Sequence, residues 1–316
     1  MDVTNRTTGL TLFNCSVDFS YRFTYYQITY SIIFICGLAS NSRALWHLWH
    51  MPPTLTSTAI YMVNLAIVDL FFMVSLPLRI YYYYNRSHSS TWSPGSVFCQ
   101  LTFTLKYMSM YGGIFFLACI GLDRYFAVTH ATPRQPLRAR NARSVSTMIW
   151  LLVLALSLSL PFLQYITFHN GERTDVPCQL DPSLGHHQTF ILVALGLVQV
   201  AFLLPTILLL FSYCSILNVL SRMPHRAKFR QQRTLSLIYC VLSVFLLCFA
   251  PYHVNLLFYT LSHTGLVLSC TLATIVSALH PVVLSLASVN CCLNPLVYYC
   301  SSGGANRETS SSRSSQ

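Results

Sequence analysis

Seven long apolar runs dominate this sequence, at about 25–49, 57–84, 97–129, 143–163, 189–221, 231–262 and 270–300. Each has the roughly 20 residues a helix needs to cross a bilayer's hydrocarbon core. Hydrocarbon offers no partner to a backbone N–H or C=O, so a crossing chain must be helical or a closed barrel. The runs are too long for strands and lack period-two alternation, so helices are expected. Only 9% of the 316 residues are charged, against about a quarter in a soluble domain. Such a chain cannot clothe itself in a water-facing surface. The reading is an all-α membrane protein: a bundle of seven transmembrane helices over 25–300, after a polar segment at 1–24 and before a tail at 301–316.

Basic residues in short loops set the orientation. Arg134, Arg138, Arg140 and Arg143 follow the third run, and Arg222, Arg226, Lys228, Arg230 and Arg233 lie between the fifth and sixth. Loops carrying Glu172, Asp175 and Asp181 alternate with them. The basic loops are therefore expected in the cytoplasm and the N-terminus outside, at the plasma membrane. This accounts for the net charge of +11 as a topology signal that also meets anionic membrane lipid, not as a nucleic-acid surface. Sequons at Asn5, Asn14 and Asn85 fall in loops expected on the outer face, where glycosylation is possible. The first residues are polar and carry sequons, so no cleavable leader is expected and the first span serves as the insertion signal. The tail is Ser-rich and should be disordered. Its serines and Thr309 are either phosphorylation sites, which arrestin could read, or simply a solvated end.

Charges inside spans are expensive and need a reason. Asp69 lies mid-span in the second run. Arg79 is ten residues further on, about 15 Å outward along a helix. Lys106 and Arg124, on the third run, are separated by roughly 27 Å, nearly the hydrocarbon thickness, so one sits near each face. Arg22 starts the first run. No acid occurs in the outer half of any span, so these cations are expected to gather an anion through charge-assisted hydrogen bonds. The alternative is that Arg79 and Lys106 snorkel to water beside the tyrosines. Tyr83, Tyr107, Tyr111, Tyr252 and Tyr259 are candidate hydroxyl donors to a polar headgroup. The run Tyr81–Tyr84 reads equally well as interfacial belt. His253 and His280 are candidate pocket donors, although a lone histidine on an apolar face is more often satisfied by a neighbour. The apolar fourth and fifth runs suit an acyl chain, and would look the same facing lipid.

The motifs in order are specific. They include Gly37 and Asn41, Asn64-Leu-Ala-Ile-Val-Asp69, Cys99, Asp123-Arg124-Tyr125, Trp150, Pro205 with Tyr213, Phe245 with Cys248-Phe249-Ala-Pro251, and Asn290 with Asn294-Pro295-Leu-Val-Tyr298. Together they resemble the rhodopsin-like (class A) G-protein-coupled receptors over nearly the whole chain. Within that family the chain looks like the purinergic-related branch. Ser75-Leu-Pro-Leu-Arg79-Ile-Tyr-Tyr-Tyr, Lys106-Tyr-Met-Ser-Met-Tyr111 and Cys248-Phe-Ala-Pro-Tyr252-His253 are most similar to its lysophosphatidylserine receptors. The sixth-to-seventh helix region also resembles lysophosphatidic acid receptors. Leu256 stands where nucleotide receptors of the branch usually carry Lys or Arg, which argues against a nucleotide.

The resemblance implies an anionic lysophospholipid ligand at Arg22, Arg79 and Lys106 with the tyrosines and histidines above, and heterotrimeric G proteins as partners. It implies a switch built on Asp123, Arg124 and Tyr125, in which Asp123 holds Arg124 at rest. Helix six then swings about Pro251, Phe245 and Phe249 repack, and Tyr213 and Tyr298 turn in beside Asn294 and Pro295. It also implies bridges Cys99–Cys178 and Cys15–Cys270, with free thiols as the alternative for the second. A sodium ion at Asp69, Ser109, Asn290 and Asn294 is implied too, with a purely structural carboxylate as the alternative. The chain departs from the pattern at several positions. Arg43 lies inside the first helix, Gly113 replaces a serine of the ion site, Asn294 replaces an aspartate, and no amphipathic eighth helix is evident after Tyr299. Helix six offers no acid near Arg226–Arg233 for a second clasp on Arg124, so basal signalling is expected.

Other classes fit less well. No metal-spaced cluster, phosphate loop or nucleophile–base pair suggests an enzyme. No lysine in the seventh run could carry retinal. No internal repeat suggests a transporter. A chemokine-type peptide receptor would usually place acids in the pocket. A constitutively active or decoy receptor remains the alternative within the family.

Overall fold

Lipid solvates no backbone, and the chain answers with helices. The computed structural model describes residues 21–50, 56–88, 96–129, 135–169, 188–222, 224–267 and 269–302. The helices are α1 (Tyr21–Trp49), α2 (Ser57–His88), α3 (Ser96–Thr129), α4 (Gln135–His169), α5 (Gln188–Ser221), α6 (His225–His263) and α7 (Cys270–Ser302). All seven are long and apolar enough to cross a membrane. Asn5, Asn14, Cys15, Cys178 and the region of an eighth helix and tail lie outside the described residues.

The helices outrun the apolar runs. α1 opens at Tyr21, inside the segment expected to be a polar lead, and α4 opens at Gln135, eight residues before the apolar run at 143. The third sequon is likewise not in a loop. Asn85 lies in the last turns of α2, where its amide Nδ2 donates to Tyr81 O at 2.8 Å. Hydropathy marks where a helix meets lipid, and the backbone ladder continues into the polar margin.

α3 runs through the middle of the bundle, against α2, α4, α5 and α6. Small residues let it approach its neighbours. A Cβ on Gly112 would lie 2.9 Å from Val68 Cγ2 of α2, and one on Gly37 of α1 would lie 2.7 Å from Met73 Sδ. Side-chain amides and ring N–H groups tie the helices across the apolar core. Asn41 Nδ2 donates to Cys291 O at 2.8 Å, joining α1 to α7, and Trp150 Nε1 donates to Asn64 Oδ1 at 2.8 Å, joining α4 to α2. Tyr298 Oη donates to Met62 O at 2.9 Å, joining α7 to α2. α6 ends in a left-handed Gly265 (φ 74°), with Leu266 N donating to Leu261 O and Gly265 N to Ser262 O. This closing motif satisfies carbonyls that a helix end otherwise leaves open.

Val68 is β-branched and stiff at χ1, so it cannot fold away from an added methyl. Gly112→Ala should therefore destabilise the bundle by about 1–3 kcal/mol, seen as a lower thermal midpoint of the purified protein. Gly37→Ala should cost less, because the Met73 thioether it meets is flexible.

Candidate functional sites

The bundle concentrates its polar chemistry at two ends and one middle layer. At the end remote from Asp123, Arg79 of α2 is only 7% exposed. Its Nη1 donates to Tyr30 Oη of α1 at 3.2 Å, and its guanidinium carbon lies 5.6 Å from the Tyr30 ring centroid. Its Nε is buried without a partner. Lys106 of α3 sits over two rings, 5.3 Å from the Tyr107 centroid and 5.7 Å from that of Tyr252 on α6. Ring faces attract cations, but a phenol carries no compensating charge. Among the described residues, every ion pair involves Asp123, at the opposite end. Arg79 is thus buried against Tyr30, and Lys106 is half-buried against Tyr107 and Tyr252.

An aromatic wall surrounds the pair. Tyr83 stacks on Tyr26 with centroids 4.6 Å apart, and Tyr26 stacks on Tyr30 at 5.3 Å. The tyrosine run at the end of α2 thus divides by helical face. Tyr83 packs inward, whereas Tyr81 and Tyr84 are 55% and 52% exposed and belong to the outer surface. Tyr259 and His280 stack at 4.6 Å across α6 and α7. Asn255 Nδ2 donates to Val276 O at 3.0 Å, which leaves its Oδ1 to accept from His280 Nδ1 at 3.2 Å. Arg22 is exposed on the first turn of α1, with its guanidinium carbon 5.6 Å from the Phe23 centroid. Cys270, at the start of α7, is disulfide-bonded. The side chain of Cys99, like Cys15 and Cys178, lies outside the described set.

Deeper in, His253 is fully buried. Its ring stacks on Phe202 of α5 with centroids 4.1 Å apart. His253 Nδ1 lies 2.9 Å from Phe249 O. A carbonyl only accepts, so Nδ1 donates and the neutral ring presents a bare acceptor at Nε2. That Nε2 and the nearby Tyr111 Oη are both buried without partners, with ring centroids 6.3 Å apart. The bland expectation for His253, a ring satisfied by neighbours, holds for one nitrogen only. Below them Phe249 meets Phe245 edge-on at 5.6 Å, beside Pro251 of the same helix.

In the middle layer Asp69 is fully buried, and Asn294 Nδ2 donates to both of its oxygens at 3.0 Å. Ser109 and Asn290 are also buried, and neither hydrogen-bonds to Asp69. Asn294 Oδ1 is buried without a partner. The layer therefore holds a carboxylate and one orphaned amide oxygen, a donor set compatible with a small hard cation. At Gly113, where relatives carry a serine, a Cβ would lie 3.4 Å from Asn290 Nδ2 and 3.6 Å from Phe249 Cζ.

At the other end Asp123 is the hub. Ser57 Oγ and Thr58 Oγ1 of α2 donate to Oδ1 and Oδ2 at 2.5 Å each. Arg124 Nη2 meets Oδ2 at 2.5 Å and also donates to Thr58 Oγ1. Arg138 of α4 meets Oδ1 at 2.6 Å. Tyr125 packs with Val128, Tyr213 and Leu235 around Ile216, Leu220 and Ile238, which joins α3, α5 and α6 at this end. Tyr213 meets the Tyr239 ring and Tyr298 donates to Met62 O, so neither is turned toward Arg124. Sequence reading anticipated the Asp123–Arg124 pair. It took Arg138 for a topology charge and passed over Ser57, Thr58, Tyr26 and Tyr30. The i, i+4 spacing of Tyr26 and Tyr30 was the available signal for the last two. For Arg138 there was none, because α4 starts before its apolar run.

With both ends described, similarity to known proteins can be assigned. A family model, "7 transmembrane receptor (rhodopsin family)", matches residues 40–298. The chain is 34% identical over 289 residues to lysophosphatidic acid receptor 6 of Gallus gallus, covering 90% of this chain and 92% of the relative. It is 34% identical to a putative purinoceptor of Homo sapiens, over 90% of this chain and 83% of that one. It is 30% identical to the probable G-protein coupled receptor 174 of Homo sapiens, over 92% and 86%. The chain is thus not an enzyme but belongs to the rhodopsin family of seven-transmembrane, G-protein-coupled receptors, in the plasma-membrane branch of lysophospholipid and purinergic receptors.

Proposed function

We propose that the chain is a receptor for an anionic lysophospholipid of the lysophosphatidylserine type and couples its binding to heterotrimeric G proteins. The N-terminus lies outside, and the Arg79 end faces the extracellular solution. One observation carries the ligand class: Arg79 is buried and, like Lys106, is walled by tyrosines, with no acid among the described residues to neutralise it. A buried cation without a counter-charge is costly. A phosphate or carboxylate would remove that cost and satisfy the open Arg79 Nε. Tyr83, Tyr107, Tyr252, Tyr259 and His280 flank the headgroup, and Arg22 guards the entrance. Tyr111 Oη and the bare His253 Nε2 offer a deeper donor–acceptor pair. A lysophosphatidic acid ligand is the second reading, favoured by the name of the relative that is 34% identical over 90% of the chain. Leu256 tells against a nucleotide.

At the Asp123 end, Arg124 is the switch. Ligand biases α6 about Pro251 through Phe249 and Phe245, Arg124 leaves Asp123, and Tyr213 and Tyr298 turn to meet it. This is one two-state element biased from both sites. Asp69 with Asn294 Oδ1 would hold a sodium ion that favours the resting state, supplying charge there and nothing more. Phosphorylated tail serines would recruit arrestin.

A panel of lysophosphatidylserine, lysophosphatidic acid and nucleotides, read by G-protein dissociation in cells, tests the ligand. Arg79→Ala and Lys106→Ala should each lower the potency of the active lipid roughly 10- to 100-fold, the worth of a hydrogen bond to a charged group. Unchanged potency in both variants would reject the site. Arg124→Ala should lower G-protein activation to about a tenth or less at matched surface expression. Full turnover would reject the switch.

A further inference from the structure

Asp123 is shared by two guanidinium groups, and only one is on its own helix. Arg138 Nη2, in the first turn of α4, donates to Asp123 Oδ1 at 2.6 Å and to the Asp123 main-chain oxygen at 3.2 Å. Arg124 Nη2 holds the other carboxylate oxygen at 2.5 Å. The carboxylate side chain is 7% exposed, while those of Arg124 and Arg138 are 23% and 22% exposed. The anion is thus buried and the two cations lie at its rim. The sequence of helix six offers no acid to clasp Arg124. The second partner comes instead from α4, and it binds the acid rather than the arginine.

The consequence follows from charge. Two cations on one carboxylate each weaken the other's hold and repel one another. If Arg124 were the only cation there, its departure would strand a buried carboxylate, which is strongly unfavourable. With Arg138 in place, Asp123 keeps a salt bridge and the hydroxyls of Ser57 and Thr58 after Arg124 has gone. Both effects favour release.

We propose that Arg138 is a positioning residue of the switch: it retains the charge of Asp123 when Arg124 departs, and so lowers the cost of the signalling state. This rests on the reading of Arg124 as the switch. A residue that merely fastened α4 to α3 would act through the Asp123 carbonyl and would be indifferent to the carboxylate's charge.

The test is ligand-independent G-protein dissociation in cells, at matched surface expression, for each Gα class. Arg138→Gln keeps hydrogen-bonding ability and removes the charge. It should lower the basal signal by about fivefold or more, and Arg138→Lys should restore most of it. In an Asp123→Asn background, which has no carboxylate charge to retain, Arg138→Gln should change the signal less than about twofold. A basal signal unchanged or raised by Arg138→Gln would overturn the proposal. So would a drop of the same size in the Asp123→Asn background, which would mark a structural fastening. A wild type with no measurable basal signal would overturn it as well, because easy release of Arg124 is what it claims. Arg124→Ala run alongside keeps the two failures apart: wild-type signalling from that variant would remove the switch itself.

Discussion

Hydrocarbon cannot hydrogen-bond, and this single constraint organises the molecule. It forces the backbone into helices and then makes an unpartnered polar side chain within the bundle costly. Most polar side chains find a partner locally or across one interface. Asn41 reaches Cys291 O, Trp150 reaches Asn64, and Tyr298 reaches Met62 O. Against that background the groups left incomplete stand out. Among the described residues they are Arg79 Nε, Tyr111 Oη and His253 Nε2 toward one end, Asn294 Oδ1 in the middle layer and Arg124 Nε at the other end, together with Asn41 Oδ1 and the hydroxyls of Ser146, Ser157 and Ser285. The first five belong to the three places proposed above to bind a ligand, an ion and a G protein. The core elsewhere is apolar and close-packed.

The two ends solve opposite electrostatic problems. Among the described residues the Asp123 end has one acid and an excess of cations. The acid is fully used, accepting from Ser57, Thr58, Arg124 and Arg138. Among the described residues the Arg79 end has cations and no acid, and it surrounds them with tyrosine rings, which soften the charge without cancelling it. An end that is already neutralised is suited to internal switching, because its partners can be exchanged. An end left positive is suited to capture, because its counter-charge must come from outside. Between them Phe249, Phe245 and Pro251 on α6 form a packed path, with His253 at its upper edge and Tyr213 below.

Much of this was legible before any coordinates, because hydropathy and charge act over whole spans. Seven apolar runs were enough for seven helices, and the motifs from Asn41 to Tyr298 were enough for the family. Local detail escaped for identifiable reasons. Apolar runs end where lipid ends, not where the ladder ends, so α4 began early and brought Arg138 within reach of Asp123. The same effect put Asn85 on a helix turn rather than in a loop. A string of four tyrosines carries no facing information until the helix phase is known. That phase turned Tyr83 inward and left Tyr81 and Tyr84 outside. His253 was split between two readings because the partner of one nitrogen is a backbone carbonyl, Phe249 O, which no side-chain pattern reveals.

The central claim is that the buried positive end is completed by a lipid-borne anion. Cryo-electron microscopy of the receptor with the active lysophospholipid and its G protein tests it most directly. The account predicts density for the phosphate or carboxylate within hydrogen-bonding distance, about 2.7–3.2 Å, of the Arg79 guanidinium, with Lys106 alongside. A bound molecule whose cationic group faces Arg79, or whose headgroup lies away from both side chains, would contradict it.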